Sequence, residues 1–245
     1  QKAEYMPGMK RAWRFAQQHR AIGVGALGYH SYLQSKLIEF ESMEAKMINT
    51  QIFKTLKERT EEASRWLHDA KGYKCIREGY ANTTLMAIAP TKSSSFIHGA
   101  VSMGIEPIKS NYFIKDLAKA KTIYKNPFLI EELEKYDLNN KETWESILKK
   151  DGSVQHLDFP TKAVFKSFIE ISPKEVVIQA AARQKYIDQS QSLNLMIDPS
   201  VPAKDINQLY LFAHEQGVKT LYYQFSQSSA QAFARNILEC ASCEG

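Results

Sequence analysis

Cysteine is scarce: the chain has three in 245 residues, and two of them, Cys240 and Cys243, fall within the last six. So few thiols cannot build the disulfide framework of a small secreted fold, and a pair crowded at one end is poorly placed to staple a core. Long apolar runs are missing too. No stretch approaches the roughly 18 uninterrupted apolar residues that a bilayer span requires, and the amino terminus lacks the basic-then-apolar pattern of a secretory signal. These absences set aside a membrane protein and make the cytoplasm the expected compartment. Charge of one sign is not concentrated either. The net +5 comes from 32 Lys and Arg interspersed with 27 Asp and Glu, which gives no basic stripe for nucleic acid. A four-ligand zinc site lacks donors, because apart from Cys75 the terminal pair has no nearby cysteine and His214 lies well upstream. No metal site is expected.

What is present is the composition of an ordinary globular chain, 44% hydrophobic and 24% charged, enough to bury one large core or two small ones. Residues 9–19 are helical in character. The strongest helix is expected over 42–71, where Ile48, Ile52, Leu56, Ala63 and Leu67 recur at three- to four-residue intervals and mark the core face, with Gly72 closing it. Residues 83–89, TTLMAIA, have the look of a short buried strand ending at Pro90. The lysine-rich stretch 115–150 is expected to be a helical surface excursion anchored by Trp144 and Leu148. A second helix is expected over 174–189, with Val177, Ala180, Ala181 and Ile187 on one side, then a strand at 192–197, a turn at 198–202, a helix at 205–216 stopped by Gly217, and a strand at 218–224. Strand, helix, strand in that order predicts an α/β fold with a parallel connection.

Four patterns bear on chemistry. Gly23, Gly25 and Gly28 spell GxGxxG, but no strand-like run precedes them, so close backbone packing is the better account than phosphate binding. In PTKSSSFIHGA, residues 90–100, a strand gives way to a hydroxyl-rich turn. Thr91, Lys92, Ser93, Ser94 and Ser95 could cradle phosphate with amides, hydroxyls and one positive charge, although from spacing alone helix capping is the plainer explanation. Tyr222 and Tyr223 are adjacent in KTLYYQ. A regular strand sends such neighbours to opposite faces, and core filling by itself explains them. The tail ILECASCEG carries a CxxC whose two thiols can close a small ring, which suits thiol–disulfide exchange on a mobile arm better than zinc.

Taken in order, these pieces resemble the end of the class I ribonucleotide reductase large subunit. The matching stretches are RAIGVGALGYHSYLQ at 20–34, TTLMAIAPTKSSS at 83–95 leading to GIEP at 104–107, RQKYIDQSQSLNL at 183–195, GVKTLYYQ at 217–224, and the terminal CASC. The likeness runs over essentially the whole chain, and the phage-encoded members look most similar. It implies an α/β fold, the second half of the family's ten-stranded α/β barrel over 1–225, followed by a redox-active tail over 226–245.

The resemblance also implies roles. Residues Thr91 to Ser95 match the loop that binds the substrate diphosphate, although Lys92 stands where some relatives have an acid. Tyr222 and Tyr223 match the pair that relays an oxidising equivalent from a small, radical-bearing subunit to a cysteine beside the substrate ribose. In that role the two rings must face each other, so the backbone there must depart from regular strand geometry. Cys240 and Cys243 match the dithiol that re-reduces the active-site disulfide and is itself reduced by thioredoxin or glutaredoxin. Leu209, Leu211 and Phe212 fall where the family builds a groove for the small subunit's tail, with core packing an equal account.

No cofactor is expected on this chain. A diiron–tyrosyl radical centre is expected in the partner small subunit, and ATP and dNTP effector sites on an upstream portion that also holds the thiyl-forming cysteine. Cys75, in YKCIREG, lacks that cysteine's neighbours and is expected to be an inert structural thiol. An upstream chain is therefore an expected partner. A catalytically silent assembly or regulatory module of the same fold is the alternative, and an independent dithiol oxidoreductase a weaker one.

Overall fold

The computed structural model describes residues 6–99, 101–117 and 120–226. Four extended segments, residues 22–25, 84–89, 189–197 and 222–225, lie side by side and run parallel. Val24 N–H donates to Leu85 O (2.7 Å) and Ala87 N–H to Val24 O (3.0 Å); Ser192 N–H donates to Ile88 O (2.9 Å); Leu195 and Ile197 donate to Tyr223 O and Phe225 O, both at 2.9 Å. Only the last pair is regular enough to form strands, β3 (Leu195–Met196) and β4 (Gln224–Phe225), in parallel register. The segment 84–89 makes isolated parallel bridges at Met86 and Ile88 rather than a continuous strand. The reason is local: the Asp188 carboxylate accepts the Leu85 and Met86 amides at 2.7 and 2.9 Å, and Gln189 Nε2 donates to Ile22 O at 2.7 Å. Side chains there do part of what a backbone ladder would do. The strand expected over 218–224 shortens to Gln224–Phe225.

Helices cover this array. They are α1 (Lys10–His19), α2 (Tyr29–Ser35), α3 (Met43–Lys71), the single turn α4 (Ser94–Ile97), α5 (Pro127–Glu134), α6 (Lys141–Lys149), α7 (Pro173–Gln184) and α8 (Ala203–Glu215). α3 begins where Ser42 Oγ accepts the Ala45 amide (3.1 Å) and ends at left-handed Gly72, φ 68°, as the sequence pattern dictates. Its buried face differs from the expected stripe. The centre is Ala45, Asn49, Phe53 and Ser64; Ile48, Ile52 and Leu56 flank it, and Ala63 is exposed. That face packs on α7, through Val176, Val177 and Ala180. Asn49 is buried because its Nδ2 donates to Gln179 O at 2.9 Å.

The stretch expected as a helical surface excursion is corrected by the structure. Its first part is an antiparallel hairpin, β1 (Tyr112–Leu117) and β2 (Ala120–Lys125). Its second part, α5 and α6, closes a separate apolar cluster of Leu129, Leu133, Trp144, Ile147, Val154, Phe159, Val164 and Phe165. Trp144 does anchor it, but Ile147 rather than Leu148 is its buried companion. No described helix is long and apolar enough to cross a membrane.

Candidate functional site

Segment 84–89 ends at Pro90, and the chain then turns through Thr91, which adopts a left-handed conformation (φ 47°). Thr91 Oγ1 accepts the Gly104 amide at 2.8 Å, and Ser95 Oγ, fully buried, donates to Lys92 O at 3.2 Å. These two hydroxyls brace the loop from within. Lys92, Ser93 and Ser94 remain exposed. Ser93 stands before α4 but makes no side-chain cap bond, so helix capping does not account for the run of hydroxyls.

Beside this loop lies the tyrosine pair. In the regular part of the β3–β4 ladder, alternate amides of 193–197 and carbonyls of 222–225 exchange bonds. Carried one step back, that alternation gives the Leu193 carbonyl to the Tyr223 amide. Instead the Tyr222 amide takes it at 2.8 Å, and the Tyr223 amide donates to Asn194 Oδ1 at 3.0 Å. One residue has been inserted, which is a bulge. It shortens β4, and it stops the two side chains from alternating across the sheet. Their rings lie 4.0 Å apart between centroids, tilted by 47°, and Tyr222 Oη donates to Tyr223 Oη at 3.4 Å. That bond holds the Tyr222 phenol proton and raises its pKa. Both rings are about half exposed, 49% and 50%.

Lysines flank the pair. Lys92 Nζ is 5.5 Å from the Tyr223 ring centroid and 5.8 Å from that of Phe225, and Lys109 Nζ sits 3.5 Å from the Phe225 centroid. Partial desolvation lowers the Lys109 pKa; Glu106 opposes this and Lys92 adds to it. Glu106 is buried and its pKa is raised by desolvation, against hydrogen bonds from Asn194 and the charges of Lys109 and Arg183. Its Oε1 accepts the Asn194 amide at 2.9 Å. Arg183, 1% exposed, donates through Nε to Gln191 Oε1 at 2.6 Å. Burial depresses its pKa to about 9, which still leaves it charged at neutral pH. Glu106, Lys109, Arg183 and Asn194 were not singled out from sequence. The signal available was a polar Asn194 between two apolar neighbours, Leu193 and Leu195, in a segment expected to be a strand.

The loop 91–95 and Tyr222–Tyr223 are thus brought together. Cys240 and Cys243 lie outside the described residues. Cys75 is half-buried, a free thiol that contacts the carbonyls of Arg77 (3.4 Å) and Tyr80 (3.3 Å). Of the three side chains considered for a groove, Leu209 is buried, Phe212 is half-buried against the core and Leu211 is exposed. Among the described residues no group of three or more His, Cys, Asp or Glu converges as metal donors. Gly23 and Gly25 serve close packing as expected: a Cβ on Gly25 would lie 2.2 Å from Ala87 O.

Parallel segments joined through helices, with the polar site where segment 84–89 ends, are the mark of α/β proteins, whose sites gather at the carboxy-terminal ends of parallel strands. Comparison with known proteins gives the family. The family described as "Ribonucleotide reductase, barrel domain" matches residues 6–76 and 73–224, and the chain belongs to it. It is 38% identical over 257 residues to the ribonucleoside-diphosphate reductase large subunit of Invertebrate iridescent virus 3, a match covering 98% of this chain and 41% of that one. The Danio rerio large subunit is 30% identical, over 89% of this chain and 32% of its own. Among solved structures, the Actinobacillus ureae class Id ribonucleotide reductase alpha subunit superimposes with a TM-score of 0.84 and 52% identity, covering 94% of this chain and 43% of that one. The chain therefore spans less than half the length of these relatives.

Proposed function

We propose that this chain supplies the carboxy-terminal part of a ribonucleoside-diphosphate reductase large subunit, an oxidoreductase of the cytoplasm that makes deoxyribonucleotides. Its partners in this reading are an upstream portion of the large subunit, carrying the effector sites and the thiyl-forming cysteine, a small radical-bearing subunit with its diiron–tyrosyl centre, and thioredoxin or glutaredoxin. The observation that carries the reading is the tyrosine stack: two phenol oxygens 3.4 Å apart, held by a bulge, beside a hydroxyl-rich loop. A phenol loses an electron readily only if its proton leaves with it. At this distance the O–H of one ring breaks as the O–H of its neighbour forms, so a hydrogen atom crosses and the radical moves the other way with no net change in charge.

The loop 91–95 binds the substrate diphosphate through Lys92, Ser93 and Ser94, with Thr91 and Ser95 bracing it. The positive charge of Lys92 offsets the phosphate charge next to the stack. Cys240 and Cys243 exchange with a disulfide formed at each turnover: one thiolate attacks a sulfur of that disulfide, and the other resolves the mixed disulfide, so two electrons pass inward and the tail pair leaves oxidised.

The test is a complex rebuilt from this chain, a matching upstream chain and a small subunit. Tyr222→Phe or Tyr223→Phe is expected to abolish deoxynucleotide formation. Cys243→Ser is expected to leave the first turnover intact and to stop thioredoxin-driven cycling. Full activity in both phenylalanine variants and in Cys243→Ser would replace this reading with a catalytically silent assembly module.

A further inference from the structure

The bulge at Tyr222–Tyr223 leaves one amide without its ladder partner, and a side chain takes it. Tyr223 N–H donates to Asn194 Oδ1 at 3.0 Å, while the Asn194 amide is itself held by Glu106 Oε1 at 2.9 Å. Both Asn194 and Glu106 are buried, at 2% and 9% exposure. Without the Asn194 oxygen this part-buried amide loses its partner, and the regular register, in which Leu193 O serves Tyr223, becomes the better arrangement. In that register successive side chains alternate across the sheet and the two rings separate. We propose that Asn194, clamped by Glu106, is a positioning residue that holds the bulge and thereby stacks Tyr222 on Tyr223.

The surroundings support this. Glu106 lies in the field of Arg183, on α7, and of Lys109, in the loop before β1, which favours its carboxylate beside the Asn194 amide. Neither Asn194 nor Glu106 is in hydrogen-bond contact with a tyrosine hydroxyl, so both act through the backbone. The inference deepens the relay reading and rests on it for its consequence in turnover, but the stack itself is observable without turnover.

Two measurements test it. In this chain labelled with 13Cζ-tyrosine, the Tyr222 signal, assigned by its loss in Tyr222→Phe, is titrated with base. Tyr223→Phe removes the acceptor and sets the value for an unpartnered Tyr222. Asn194→Ala is expected to lower the Tyr222 midpoint to that same value. Ile171→Val, a core change away from the stack, is expected to leave it at the wild-type position. A folded Asn194→Ala chain with the wild-type midpoint overturns the proposal. Should Asn194→Ala not fold, Asn194→Gln, which moves the amide oxygen by one methylene, is read the same way.

In the rebuilt complex, Asn194→Ala is expected to lower kcat about a hundredfold, the order expected for misplacing reacting groups by about 1 Å. KM for the diphosphate should stay unchanged. A loss that appears in KM rather than in kcat counts against positioning. An Asn194-dependent titration together with full activity of Tyr222→Phe and Tyr223→Phe keeps the bulge clamp and removes the relay.

Discussion

At the scale of single residues, small groups decide which surfaces meet. Gly25 lets residues 22–25 approach segment 84–89 so closely that a methyl group there meets a carbonyl oxygen, Ala87 O, at 2.2 Å. A carbonyl in a paired backbone cannot rotate away as a side-chain end can. Gly25→Ala is therefore expected to destabilise the fold by about 1–3 kcal/mol or more, read as a lower urea midpoint with an unchanged slope. Arg183 shows the opposite economy, since its charge is buried because Gln191 and Asn49 face it and Glu106 lies nearby. Lys92, by contrast, is exposed, and its position beside Tyr223 is visible only once the loop and the bulge are placed.

At the scale of elements, α3 is the most self-sufficient piece. Its amino-terminal serine, its left-handed glycine stop and the basic side chains His68 and Lys71 in the last turn all agree with helix physics. Ser42→Ala is expected to cost about 1 kcal/mol through the lost Ala45 amide bond. Phe53→Ala, at the fully buried centre of the face against α7, is expected to cost about 3–5 kcal/mol. Thermal unfolding of both variants checks the ranking, and equal effects would contradict it. The extended segments behave differently. They are short and bulged, and they are stitched by Asp188, Gln189 and Asn194 as much as by backbone ladders. A parallel sheet of this kind draws its partners from segments far apart in sequence.

At the scale of the whole molecule, one buried titratable group couples the two apolar clusters to pH. His30 has no solvent exposure. It packs edge-on against Phe40, 5.5 Å between centroids, and its Nδ1 accepts the Ile108 amide at 2.9 Å. Burial pushes its pKa down to about 3, only partly opposed by the nearby Val164 backbone, to which the buried Nε2 makes no full hydrogen bond. The unfolded chain takes up a proton near the ordinary histidine value of about 6.5, and the folded one does not. The stability that follows is complete above that value and is lost as pH falls from about 6.5 towards 3. His30→Asn keeps an acceptor near the Nδ1 position but cannot titrate. It is expected to be less stable at neutral pH, through lost ring packing, and to show a flatter decline on acidification. Denaturation curves between pH 4 and 7 measure this, using a window set by those two pKa values, and an undiminished acid slope in the variant would assign the slope to other groups.

How much of this was legible beforehand follows from which forces are local. α3, α8 and the glycine stops, the parallel connection of the last strands, and α7 up to Gln184 rather than the expected 189, follow from periodicity and turn chemistry, which act over a few residues. The hairpin at 112–125 did not: its pairing partners sit in a lysine-rich stretch whose composition is equally compatible with helix. The buried face of α3 was displaced because its centre includes polar Asn49 and Ser64, which only partners on distant segments, Gln179 and Asn82, can satisfy. The family likeness marked the tyrosine pair and the serine loop. By itself, then, the sequence determined the main helices, the parallel connection of the last two strands, and where the unusual residues stand, because those choices rest on neighbours along the chain. Tertiary structure alone decided that Tyr222 and Tyr223 face each other, because the amide that permits the bulge is held by Asn194, twenty-nine positions away, and no local rule reaches that far.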